Sequence, residues 1–404
     1  MKVLQINSVC GQGSTGRIAA DIQNLLAKQG HECLFAYGRG TAPNGIKSLR
    51  IGTNFDNYLH AAATRIFDNH GFASTAATKE FIKEAKKYNP DLIHLHNLHG
   101  YYINVDLLFN YLQEANKPIV WTLHDCWALT GHCAHFDYIG CNKWQKGCYD
   151  CPQKGVYPAS LIFDNSERNY EKKKELFTSV ANMVVVTPSK WLATIVEQSF
   201  LKSYPLQVIN NGIDIDIFRH IANDFRQRYE LQGKFIILGV ANIWAFKKGL
   251  DDFINLAKEI DNNKFKIVMV GVNAKQLKTL PKNILGIKRT NNVLELAQIY
   301  TAADVFFNPT YEEVLGMTNL EALACGTPVI TYKSGGSPEC ISSDSGYIIG
   351  KGEWQRVPEV INNIKNVQYE TLRNEALPFD KNKKYAEYIN LYKKMANLRG
   401  SYHD

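Results

Sequence analysis

Two glutamates, Glu313 and Glu321, stand eight residues apart in the stretch NPTYEEVLGMTNLEALACGTP, residues 308–328. An apolar run ending at about Phe307 reads as a strand. The loop after it carries Glu313, and a helix is expected from about Gly316 to Gly326. Such a helix would aim the amides of Leu315, Gly316 and Met317 at an anion, because unpaired N–H groups and the helix dipole both favour negative charge there. Glu313 would precede that terminus and Glu321 would lie about a turn inside it. Each carboxylate can accept a pair of hydroxyl hydrogen bonds. A ligand with a sugar, a diphosphate and a ribose in series could therefore be gripped at three places. The plain alternative is two solvated glutamates beside a helix.

Other residues invite chemistry in the first half. Gly11-Gln-Gly13-Ser-Thr-Gly16, followed by Arg17, fits the Gly-x-Gly-x-x-Gly dinucleotide pattern. Four residues separate the first strand from Gly11, however, and the second strand ends in Tyr37-Gly38-Arg39 without an acid for a ribose. A backbone turn, or amides facing an anionic or hydroxyl-rich ligand, fits better than NAD. His124-Asp125 closes another strand, either as a satisfied structural pair or as a functional one. His94 and His96 share a strand face, so zinc is conceivable, but no third ligand stands at suitable spacing. His99 and Tyr101 follow in the loop. Cys133, Cys141, Cys148 and Cys151 crowd into nineteen residues and end in a Cys-x2-Cys knuckle. Four thiolates suit a closed, structural zinc site that would staple the excursion at 131–152, with reduced thiols or a disulfide as the alternatives.

The elements that must position these residues alternate between short β-branched runs and longer amphipathic stretches, the signature of βαβ units. Lys2–Ile6, Cys33–Tyr37, Leu92–Leu95, Ile119–Leu123 and Met183–Thr187 read as strands of a first parallel sheet, with helices such as Arg17–Gln29 and Phe81–Tyr88 between them. Gln207–Ile209, Phe235–Val240, Lys266–Val270, Ile284–Ile287, Asp304–Phe307 and Pro328–Thr331 read as a second set. The expected fold is α/β, with two doubly wound domains: residues 1–190, completed by a C-terminal helix at 384–404, and residues 205–380. Ligands of such sheets bind beyond the strand carboxyl ends, and the cleft between two such domains is the natural site.

Composition narrows the function. The 404 residues are 45% hydrophobic and 21% charged, which excludes disorder and fibrous structure. The net charge of +7 is diffuse; it suits an anionic substrate or membrane surface and gives no basic, aromatic-interleaved run for nucleic acid. Neither a signal peptide nor a membrane-spanning run is evident, so a cytoplasmic location is expected.

The glutamate stretch resembles the Glu-x7-Glu motif of the retaining GT-B glycosyltransferases, glycosyltransferase family 4. Asn210-Asn211-Gly212-Ile213-Asp214 with Phe218 is similar to the turn after that family's interdomain linker. GVANIWAFKKGLDD, residues 239–252, resembles its donor loop. LAQIYTAADVFFNP, residues 296–309, resembles the segment before the glutamates, and Tyr388–Met395 the helix that crosses back onto the first domain. The resemblance implies a GT-B fold and a donor held as a UDP- or GDP-sugar. Glu313 would hold the sugar hydroxyls, Glu321 the ribose, and Lys248 the diphosphate as it leaves. Gly13 would lie near the donor and His124 near its sugar, while Arg17, His99, Tyr101 and Asp125 would belong to the acceptor region. The transfer would retain anomeric configuration, need no metal cofactor, and use the leaving phosphate rather than a side chain as base. The acceptor implied is a saccharide, often lipid-linked, used in capsule, exopolysaccharide or lipopolysaccharide assembly at the inner membrane face. One departure stands out. Family members often carry an arginine where this chain has Asn242, so either Lys247 or Arg17 supplies that charge or phosphate binding is weaker. A sugar-nucleotide epimerase and a non-catalytic sugar-binding protein are the rivals.

Overall fold

The computed structural model describes residues 1–364 and 367–397. The chain divides into two compact units, Met1–Asn210 with the segment from Lys384, and Asn211–Lys383. The first unit holds a seven-stranded sheet of β1 (Lys2–Val9), β2 (Glu32–Arg39), β3 (Ser48–Arg50), β4 (Leu92–Leu95), β5 (Ile119–Thr122), β6 (Met183–Thr187) and β7 (Leu206–Val208). Their order is β3-β2-β1-β4-β5-β6-β7, and every pairing is parallel. Strands β4 and β5 are buried along their whole length, as strands covered by helices on both faces must be.

The second unit repeats the plan with six strands: β8 (Phe235–Val240), β9 (Phe265–Val270), β10 (Ile284–Ile287), β11 (Val305–Asn308), β12 (Val329–Tyr332) and β13 (Gly346–Ile349). They run β10-β9-β8-β11-β12-β13, again all parallel. Both sheets are doubly wound. In each the winding reverses once, between β1 and β4 and between β8 and β11. Loops leaving the two strands at a reversal diverge to opposite faces and open a crevice, which is where such sheets bind ligands.

Some expectations change. The strand expected to open the second sheet at Gln207–Ile209 pairs instead with β6 and closes the first. The cause is Ile209, fully buried in the first unit's core beside Val186 and Tyr392. Strands β3 and β13 escape sequence reading because they are short and largely half-exposed, so no apolar run marks them. The terminal helix runs Lys381–Asn397 and buries Tyr385, Tyr388, Ile389, Leu391 and Tyr392 against Val3, Ile22 and Leu92. Residues 398–404 of the expected helix lie outside the described residues.

Candidate active site

The reversal in the second sheet brings together two loops that are some sixty residues apart in sequence. The loop after β8 turns through Phe246–Lys248 into the helix Leu250–Glu259, and the loop after β11 carries Thr310–Glu313. Gly249 makes the first turn possible. Its φ is 72°, and a Cβ there would sit 2.4 Å from Pro309, so only glycine lets the two loops meet. Two ion pairs then cross between them. Lys248 Nζ lies 2.9 Å from Glu313 Oε2 and 3.2 Å from Thr310 Oγ1, while Lys247 Nζ lies 2.7 Å from Glu312 Oε2. The loop before helix Met317–Ala324 is fixed from behind by a buried polar chain. Asn308 donates to Asn319, and Asn319 donates to the carbonyl and hydroxyl of Ser337. The Gly336 amide holds the Glu313 carbonyl.

Lys247 and Arg17 are the two candidates for the charge missing at Asn242. The Asn242 side chain is exposed, and Lys247 is committed to Glu312, a carboxylate only 5% exposed whose Oε1 has no partner among the described residues. Arg17 is exposed and folds back onto the Gly13 carbonyl at 3.0 Å. Lys248 is thus the cation that stands beside Glu313. The expectation for the helix amides needs correction. Gly316, at φ −69° and ψ 72°, makes an inverse γ-turn in which the Met317 amide donates to the Leu315 carbonyl at 2.8 Å, and the Gly316 amide bonds the Cys340 sulfur. Leu315 and Met317 turn their side chains to the core. Glu321, inside the helix, accepts from the Tyr300 hydroxyl at 3.0 Å. Burial, reinforced by the Glu321 charge, pushes the Tyr300 phenol up, so it stays a donor to Glu321.

In the first unit the reversal lies between β1 and β4, and residues there form a relay. Gln5 is a polar residue fully buried in β1; its amide donates to the Ala19 carbonyl, so its oxygen accepts from His96 Nε2 at 3.0 Å. Burial keeps His96 neutral, so its Nδ1 is an acceptor and receives a hydrogen bond from His124 Nε2 at 3.1 Å. Burial also lowers His124 to about 4, against the opposing pull of Asp125. His124 is therefore neutral, with Nδ1 as its lone-pair nitrogen. His94 is a satisfied core residue held between Thr122 and Tyr392. Among the described residues no three His, Cys, Asp or Glu side chains are grouped to hold a metal ion.

Beside His124 a second group assembles. His99 Nε2 lies 2.6 Å from Asp125 Oδ2, and its Nδ1 lies 3.0 Å from the Tyr157 hydroxyl. Burial disfavours the Asp125 carboxylate, but His99, His135 and the Trp127 amide outweigh it and hold its pKa well below the usual range. Tyr101 adopts a left-handed backbone at φ 66°, with its carbonyl held by Asn57 and the Gly100 amide held by His70. A tyrosine kept at positive φ is strained, which fits a side chain placed for contact with a ligand. Gly13 is also at positive φ and faces open space. Sequence reading missed Tyr157, Tyr300, Thr310 and Gln5. The one signal available was Gln5, a polar residue at a core position of an apolar strand.

Cys133, Cys141, Cys148 and Cys151 line one small cavity, with the thiols of Cys133 and Cys151 in hydrogen-bond contact and no disulfide among the described residues.

Two doubly wound α/β units with polar residues gathered at each reversal define a GT-B protein. Residues 15–217 match the family described as Glycosyltransferase Family 4, and residues 222–384 match Glycosyl transferases group 1. The chain belongs to glycosyltransferase family 4. It is 30% identical over 262 residues to the putative colanic acid biosynthesis glycosyl transferase WcaC of Escherichia coli K12, over 60% of this chain and 62% of that relative. The match thus spans less than two thirds of the relative's length. Among solved structures, a glycosyltransferase from Rickettsia africae superposes with a TM-score of 0.69 at 16% identity, covering 98% of each chain. HepE from Anabaena, solved with UDP, superposes with a TM-score of 0.68 at 16% identity, covering 98% of this chain and all of that one. At such identities the likeness concerns fold.

Proposed function

We propose that this protein transfers a hexosyl group from a nucleoside-diphosphate sugar to a saccharide acceptor with retention of configuration, in the assembly of a bacterial surface polysaccharide. The observation that carries this reading is the Lys248–Glu313 pair at the reversal of the second sheet, with Glu321 eight residues on. Lys248 is the cation for the departing diphosphate, and a preformed charge aimed at developing charge is commonly the largest catalytic contribution. Glu313 accepts from donor-sugar hydroxyls and Glu321 from the ribose. The donor is assigned to the second unit and the acceptor to the first. There His124 Nδ1 accepts a hydroxyl hydrogen bond, and His99, Asp125 and Tyr101 form the acceptor wall. No divalent ion is required, since Lys248 supplies the positive charge. The leaving phosphate takes the acceptor proton.

HepE, by its name, was solved with UDP, which supports a uridine donor here. The colanic acid relative supports a polysaccharide product. A lipid-linked acceptor, met at the inner membrane face by a cytoplasmic enzyme, is part of the same proposal. The cysteines of 131–152 are proposed to gather around one structural zinc. Their spacing and their shared cavity support this, and ligation requires the thiols to close from their present positions. The test of the donor site is thermal unfolding with UDP, GDP, ADP, CMP and NAD on wild type and Glu321→Ala. A shift with one nucleoside diphosphate that weakens in the variant supports the reading. A shift with NAD alone would sink it. Turnover of the nucleotide sugar without acceptor into an epimer would favour an epimerase instead.

A further inference from the structure

The helix Asn54–Phe67 is built inside out. Its only buried side chains are His60 and Thr64. His60 is held by polar contacts, Nδ1 to Ser74 and Nε2 from the Gly71 amide, and the Thr64 hydroxyl donates back to the His60 carbonyl. The apolar side chains point the other way. Phe55, Leu59, Ala62 and Ile66 recur at the i, i+4, i+7, i+11 spacing of a single helix face, with Tyr58 beside them, and all are exposed. Phe55 is 68%, Tyr58 74% and Leu59 54% exposed. A surface helix ordinarily turns such a stripe to the core.

A second segment extends the stripe. The Leu161 amide donates to the Arg65 carbonyl and the Phe163 amide to the Ile66 carbonyl, so 161–163 lies along the end of the helix. Leu161 and Ile162 are 70% and 58% exposed, and Phe163 stacks on Phe67 at 6.0 Å between ring centroids. Cations border the patch. Arg50 binds Asn54 at the start of the helix, Arg65 is exposed near its end, Lys154 reaches the Ile162 carbonyl, and Arg168 binds Asn69. The acids nearby are occupied: Asp56 closes a capping box, Asp164 accepts the Cys151 and Ser166 amides, and Asp68 is buried against His132. An apolar face of Phe, Tyr, Leu and Ile rimmed by cations is complementary to an anionic lipid surface. The patch also adjoins the acceptor wall, because the chain that carries Leu161 carries Tyr157 four residues earlier, bonded to His99.

We propose that the helix Asn54–Phe67 and the segment 161–163 seat the first unit in the interface of an anionic membrane, giving the acceptor region access to a lipid-linked saccharide. The inference deepens the membrane-face reading above and rests on it only for the nature of the acceptor. The test is flotation of the full chain with vesicles of phosphatidylglycerol and phosphatidylcholine, or of phosphatidylcholine alone. Wild type is expected to float with the anionic vesicles. Phe55→Ser, Leu59→Ser and Ile66→Ser together should weaken partitioning by about a hundredfold or more, since each removes a side chain whose burial is worth roughly tenfold. Arg65→Gln should weaken flotation with anionic vesicles only. Unchanged thermal unfolding of the triple variant confirms that the fold is intact. Wild type that fails to float overturns the proposal. So does wild type that is dimeric by light scattering and becomes monomeric on Phe55→Ser, which makes the patch a contact with a second copy. The nucleotide-induced thermal shift is read in parallel: its loss with flotation intact defeats the donor reading alone, and the reverse defeats only the membrane proposal.

Discussion

Replacing Lys248 with alanine separates catalysis from stability. Its Nζ lies 2.9 Å from Glu313, but the two side chains are 39% and 24% exposed, so solvent screens the pair. Partly exposed pairs of this kind contribute about 0.2–1 kcal/mol. For a unit of this size that amounts to about 2–4 °C of Tm at most. The effect on transfer should be far larger. If Lys248 faces the charge that develops on the departing diphosphate, its removal should cost about 10²–10³ in kcat, or roughly 2.7–4 kcal/mol, the cost of losing one preorganised donor. The assay is release of nucleoside diphosphate from the preferred sugar donor, with Tm measured on the same preparations. The expected result is a Tm within a few degrees of wild type and a rate lower by at least about a hundredfold. A rate within threefold of wild type would refute the assignment of Lys248 to the diphosphate. A large fall in Tm would show that the ion pair is structural, contrary to its exposure.

Glu321→Ala should weaken nucleoside-diphosphate binding by about tenfold to a hundredfold, the worth of a charged hydrogen bond, and calorimetry that finds an unchanged Kd would remove the ribose role. Acid should destabilise the first unit. Burial lowers His60 to about 3 and His124 to about 4, and holds His70, His94 and His96 well below the ordinary value. Between those values and about 6.5 the unfolded chain binds protons that the folded one does not, so stability is full above about 6.5 and is lost as pH falls toward 4. His132 runs the other way: burial lowers its pKa, but Asp68, Cys151 and the Val156 backbone together outweigh burial and raise it, so its contribution is lost as pH rises through that raised value. Denaturant unfolding at pH 7 and pH 5 should therefore give a lower midpoint at pH 5. Tyr157→Phe should raise KM for the acceptor while leaving nucleotide affinity unchanged, because the lost hydroxyl holds His99 of the acceptor region. Metal analysis of the purified chain should return about one zinc per molecule; none, with four titratable thiols at 133–151, would leave the cluster as reduced cysteine.

The two-sheet plan was legible in the sequence because parallel strands are buried on both faces and read as continuous apolar runs. β4, β6, β8 and β10 stand at the residues expected. The glutamates and Lys248 were legible through their resemblance to a family, and the loops that bear them follow strands, as doubly wound sheets require. Three matters were left to the tertiary structure. Whether Lys247 or Lys248 is committed elsewhere depends on which glutamate each meets, and Glu312 and Glu313 are adjacent in sequence. The proton on His124 is set by Gln5, more than a hundred residues away, through His96. And the helix Asn54–Phe67 carries an ordinary amphipathic pattern, which specifies that one face is apolar. Only packing decides which way that face turns. Here the polar contacts of His60 and Thr64 hold the other face inward. Spacing along a chain fixes which residues share a face or a loop; partners drawn from distant strands decide what each of them meets.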